Sequence, residues 1–219
     1  MSWNRDHNGR RRGYHHGNLR EALIHAALEL ISNKGPAGFT FAEAARHAGV
    51  SPAAPYRHYR DRDSLMADVA RRGFERFAAA LASAWDEGRP KPSAAFERLG
   101  RAYLGFARAE PAYFSAMFES GLDLKSFPAV QEAADSAFAV LRGACEVMAA
   151  TLPPDRRPPA LMMALHIWSL AHGIASLFGR GDAARRPIPM TPEELLEAAT
   201  LVYMQGLGFG PSGSGAAQS

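Results

Sequence analysis

The chain has 219 residues, 47% of them apolar and 21% charged, which suits a globular protein with a sizeable core, in one or two domains, and excludes a low-complexity chain. A single cysteine, Cys145, excludes an internal disulfide and a thiolate metal cluster; with a polar, basic opening stretch that lacks a signal-peptide core, it makes a reducing cytoplasm the expected setting. The net charge of +3 is uneven: residues 1–60 hold nine Lys/Arg against four Asp/Glu, and residues 61–219 hold sixteen against eighteen. A small basic head before a near-neutral body suits a polyanionic partner, although a solvated basic surface would have the same charge.

Residues 1–17 include Arg10-Arg11-Arg12 and read as a disordered basic arm, able to reach phosphates or the minor groove or else to remain a solvated tail. No stretch sustains the period-two alternation of a strand, and apolar residues recur at helical spacing between proline and glycine breaks. The expected fold class is therefore all-α, with about nine helices. Leu19, Leu23, Ala26, Leu30 and Ile31 stripe the first, which ends near Gly35-Pro36. Thr40 and Glu43 form a capping box for a short second helix, Phe41 to His47, which Gly49 stops. Ser51-Pro52 opens a third, and Asp61 caps a long fourth that runs to about Glu87.

After Arg89-Pro90-Lys91-Pro92 come a fifth helix with Phe96, Leu99, Tyr103 and Phe106, a short sixth from Pro111, and a seventh striped by Val130, Ala134, Leu141, Met148 and Leu152. The eighth, Ala160 to Phe178, is about long enough to cross a bilayer. His166, Ser169, His172 and Ser176 interrupt it, so it reads as the buried helix of a bundle with no membrane partner. Thr191-Pro192-Glu193-Glu194 opens the ninth, and residues 210–219 form a polar tail expected to be disordered.

The stretch Thr40 to Tyr59 combines a helix, the tight turn Ala48-Gly49-Val50 and a second helix from Ser51, which is the pattern of a helix-turn-helix that places its second helix in the major groove. Ala45, Val50 and Tyr59 are placed to pack the pair. Backbone N–H groups near Thr40 and Ser51 suit phosphate oxygens.

The order of these elements, and the run Val50 to Leu65 (V-S-P-A-A-P-Y-R-H-Y-R-D-R-D-S-L), resemble the N-terminal domain of TetR-type repressors over residues 18–66. Trp168-Ser-Leu-Ala-His172-Gly173 is similar to the Trp-x-x-x-His-Gly signature of one subgroup of their C-terminal domains. The resemblance implies a DNA-binding domain at 18–63 and an effector-binding and dimerisation domain at 64–209. It implies phosphate contacts from Thr40 and Tyr56, with Arg57 and His58 in the same short helix. Arg62 stands where the family has lysine, and Tyr59 where it has phenylalanine. The base-reading face is Pro52, Ala53 and Ala54, which can meet a thymine methyl but offers no bidentate hydrogen bonds, and Pro55 makes this helix short or irregular.

The same resemblance implies a homodimer through the last two helices (160–180 and 192–208), a palindromic double-stranded operator and a small-molecule effector. Phe77, Tyr103, Phe106, Phe114, Met117, Phe118, Met148, Trp168 and His172 are the candidate pocket residues, and aromatics with methionine suit an apolar or aromatic compound. Each has a plainer reading as core. An architectural DNA-binding protein would share the basic head without needing such a body. An enzyme fits less well still. Cys145 lies on an apolar stripe, His15-His16 lack partners for a metal, and His166 and His172 point to different faces of one helix. No cofactor or metal is expected.

Overall fold

The structure, a computed structural model, describes residues 19–179 and 188–209. The arm expected at 1–17 and the tail expected at 210–219 lie outside them. Eight α-helices form the described residues: α1 (Leu19–Lys34), α2 (Phe41–His47), α3 (Arg62–Trp85), α4 (Pro92–Ala109), α5 (Pro111–Phe118), α6 (Pro128–Ala150), α7 (Ala160–Gly179) and α8 (Pro192–Gly206). The all-α expectation holds, with one α-helix fewer among the described residues than the nine expected. The missing one is the third. Ala54–Arg57 is a single 3-10 turn, because Pro52 precedes the segment and Pro55, its second residue, has no amide hydrogen with which to continue a helical ladder.

Local signals fix the ends of the head elements. The Thr40 hydroxyl accepts from the Glu43 amide at 3.2 Å and the Glu43 carboxylate accepts from the Thr40 amide at 2.8 Å, so two otherwise orphaned donors at the start of α2 are satisfied. Lys34 adds a third bond to the same carboxylate, and together with the Thr40 amide and hydroxyl it holds the Glu43 carboxyl down at about 2. Gly49 adopts φ +71, a left-handed conformation that side chains rarely take, and lets the Val50 amide return to Ala45 O at 3.0 Å. Asp61 and Ser64 form the equivalent box at α3, and Thr191 and Glu194 at α8.

α3 runs without a break from head to body and packs against α1, α4, α5 and α6. Its first turns bury Leu65, Met66 and Val69 in the head, and its later turns bury Phe74, Phe77 and Leu81 in the body. The division drawn at 63/64 falls within its first turn. At Gly73 the Met117 side chain of α5 lies so close that an added Cβ would come within 2.8 Å of the sulfur, so any side chain at this crossing would force Met117 to shift. α7 buries Met163, Ile167, Ala171 and Ile174 against α4, α6 and α8, as a bundle helix does. Its outer positions Leu161, Leu165 and Leu177 stay exposed, as do Leu201 and Val202 of α8, at 55% and 70%.

Candidate nucleic-acid interface and ligand cavity

The segment Ser51 to His58 presents a continuous exposed surface. Ser51, Pro52, Ala53, Arg57 and His58 are exposed, Tyr56 is 63% exposed and Ala54 is partly covered. Pro55 turns inward and is fully buried, and its carbonyl accepts from the His58 and Tyr59 amides at 2.9 and 3.0 Å. The Tyr56 ring stands edge-on against Phe41 of α2 at 5.1 Å. Thr40 is also exposed, but its hydroxyl and amide are occupied by the capping box.

Arg62 is placed differently from the other candidates. Its guanidinium donates to Phe39 O at 3.0 Å, to Pro36 O and to Asp63 at 3.0 Å, and lies over the Phe39 ring at 4.9 Å. All three nitrogens are thus engaged, two of them bracing the connection that leads into Thr40. The cause is the α1–α2 loop, whose carbonyls face the start of α3 and need donors.

Beneath this surface Asp68 is the one buried charged residue among the described residues, at 6% exposure. Its carboxylate accepts from Tyr59 Oη at 2.6 Å, from Arg20 at 2.9 Å and from Arg71 at 2.7 Å, with Arg72 at 3.7 Å. Burial alone would raise its pKa, but the bonds from Arg20, Tyr59 and Arg71 outweigh burial and hold it at about 2. Burial, with Asp68 alongside, pushes the Tyr59 hydroxyl up, so it stays a donor. Arg72 also forks onto Glu21 of α1 at 2.7 and 2.5 Å. One anion therefore ties α1, the end of the helix-turn-helix and α3. Sequence reasoning noted the Tyr59 hydroxyl without its partner; the signal available was an aspartate standing among apolar residues of α3.

In the body a cavity of about 510 Å³ lies between α3, α4, α5, α6 and α7. Five of the nine candidate residues line it: Phe77, Tyr103, Met117, Phe118 and Trp168. Phe106, Phe114, Met148 and His172 do not. Phe106 packs behind Phe77 at 5.0 Å, and Phe114 stacks on His172 at 5.6 Å behind the wall. Met148 faces a smaller cavity of about 210 Å³ between α4 and α8. His172 Nδ1 meets Tyr103 Oη at 3.0 Å and so positions a wall residue. The remaining wall includes Phe74, Leu99, Phe138 and Leu141, with Gln131 and Asp135 of α6, which composition did not single out. Cys145 is fully buried, and burial pushes its thiol up to about 12, which makes it a poor nucleophile.

Comparison with known proteins agrees with this architecture. The model described as "Bacterial regulatory proteins, tetR family" matches residues 23–69, and "Tetracyclin repressor-like, C-terminal domain" matches residues 96–203. No curated protein matches. Among solved structures, a protein of unknown function from Rhodococcus sp. RHA1 is 30% identical, with a TM-score of 0.74, 89% of this chain and 98% of that one being covered. The TetR family transcriptional regulator PfmR from Thermus thermophilus is 19% identical with a TM-score of 0.64, over 84% and 97%. The fatty acid degradation regulator FadR from Bacillus halodurans is 12% identical with a TM-score of 0.66, over 85% and 94%; these last two show a shared fold. With the helix-turn-helix head, the continuous α3 and the helical body in agreement with both domain models, the chain belongs to the TetR family of DNA-binding transcriptional regulators.

Proposed function

We propose that the chain is a cytoplasmic homodimeric repressor that leaves a palindromic operator when a small apolar or aromatic effector enters the 510 Å³ cavity. The observation that carries this reading is the position of that cavity against α3. Phe74, Phe77 and Leu81 line it from the same helix whose first turns hold Asp68 and the head. A ligand there acts on the element that positions Ser51 to His58, and the two sites are linked reciprocally. An architectural DNA-binding protein without an effector has no use for such a cavity.

The dimer is supported by the exposed apolar positions Leu161, Leu165 and Leu177 of α7 with Leu201 and Val202 of α8, a patch that a soluble monomer rarely leaves uncovered. Trp168 on the cavity wall and His172 on Tyr103 support the narrower placement among members with the Trp-x-x-x-His-Gly signature. The test is operator binding by fluorescence anisotropy, with and without compounds that raise the melting temperature. A stabilising compound should also release the operator. One that stabilises the protein and leaves operator affinity unchanged would overturn the effector-controlled reading.

A further inference from the structure

Among the described residues that line the 510 Å³ cavity none is lysine, arginine or histidine, and one, Asp135, is a carboxylate. Asp135 stands exposed at the rim, on α6. Gln131, one turn earlier, donates its amide to Asp135 Oδ1 at 3.1 Å and so steadies the carboxylate there. No arginine or lysine pairs with Asp135 among the described residues. Phe138 shares its helix face three residues on, and its ring meets Trp168 edge-on at 6.5 Å. The rim therefore combines an anion with two aromatic rings, and the interior behind it is apolar.

This arrangement discriminates by charge. A carboxylate ligand would lie beside Asp135 as a like charge, or else enter an apolar interior with no positive partner and lose its hydration uncompensated. A cation gains on both counts, from Asp135 and from the electron-rich ring faces. Resting on the reading of the cavity as the effector site, we propose that the effector is a lipophilic monocation, with its apolar or aromatic body in the cavity and its ammonium group at Asp135.

The test uses the full chain and the neutral dye N-phenyl-1-naphthylamine, whose fluorescence reports entry into an apolar site. Ala134→Phe, on the cavity wall, should abolish the dye signal. The dye is then displaced at pH 7 by three molecules of one shape: 6-phenylhexylamine, 6-phenylhexan-1-ol and 6-phenylhexanoate. The amine should displace at roughly fivefold to tenfold lower concentration than the alcohol, as expected for a rim ion pair with aromatic neighbours, and the carboxylate should be weakest. Asp135→Asn, which keeps an oxygen for Gln131, should bring the amine to the level of the alcohol while leaving the alcohol unchanged. Asp135→Lys should make the carboxylate the strongest of the three. An amine no better than the alcohol, or an amine preference that survives Asp135→Asn, overturns the charge assignment and leaves the cavity reading standing. If the dye binds neither the native chain nor Ala134→Phe, the cavity reading itself falls, and this inference with it.

Discussion

At Asp68 a single carboxylate holds three segments, and its energetics set a test. Its folded pKa of about 2 lies below the ordinary 3.8, so its contribution to stability is fully present above about pH 4 and is lost as the pH falls through 2. Asp68→Asn should cost about 2–3 kcal/mol in denaturant unfolding at pH 7, because it removes the negative charge the arginines share and replaces one of the two acceptor oxygens with an NH2 group that faces donors. The gap between variant and native protein should narrow as the pH is lowered toward 2.5. A gap of constant size across that range would show that ionisation of Asp68 is not its source. Tyr59→Phe, which removes one bond of the set, should cost about 1 kcal/mol. Arg62 carries a related lesson. Its charge at the start of the long helix was readable, but the carbonyls of Pro36 and Phe39 that use the charge come from 26 and 23 residues away, and no local pattern announces them.

Among the elements, those with local causes were the ones the sequence declared. The capping boxes at Thr40, Asp61 and Thr191 depend on residues three apart, and each begins a helix where expected. The irregularity of the third element followed from Pro55 in the same way. The cavity wall did not follow. Aromatic density located the body, but whether Phe77 or Phe106 faces an open space depends on how α3, α4 and α6 cross, which composition does not encode. Two substitutions test the elements. Within Ser51 to His58, Ala53→Glu should abolish sequence-specific binding by placing a charge against the groove, whereas Tyr56→Ala should weaken all DNA sequences alike. Specific binding that survives Ala53→Glu unchanged would show that this turn does not enter the groove. At the α3–α5 crossing, Gly73→Val should destabilise the fold by about 1–3 kcal/mol through overpacking against Met117. Adding Met117→Ala should recover part of that loss; additive losses would mean the two residues do not press on each other.

For the whole molecule the expectations concern assembly and charge. Light scattering at micromolar concentration should give twice the 23.7 kDa chain mass, and Leu201→Glu with Val202→Glu should give a monomer that has lost operator binding. A native chain that stays monomeric would remove the basis for a palindromic site. Deleting residues 2–12, with Arg10, Arg11 and Arg12, should flatten the slope of log affinity against log salt by about two to three units if each arginine neutralises a phosphate. An unchanged slope would confine the DNA contacts to the folded head.

The unbroken course of α3 turns these parts into a lever. Its 24 residues span about 36 Å at ~1.5 Å per residue, so a rotation of roughly 5° at the cavity end displaces the head end by about 3 Å. In a two-fold dimer both heads swing in opposite senses, and the distance between the two reading turns changes by about twice that amount. Half-sites on B-DNA repeat once per turn, about 34 Å apart. A shift of about 6 Å in span, twice the displacement of one head, would leave one head out of register with its groove, so under the proposed effector control a ligand that leans on Phe74 and Phe77 would release both.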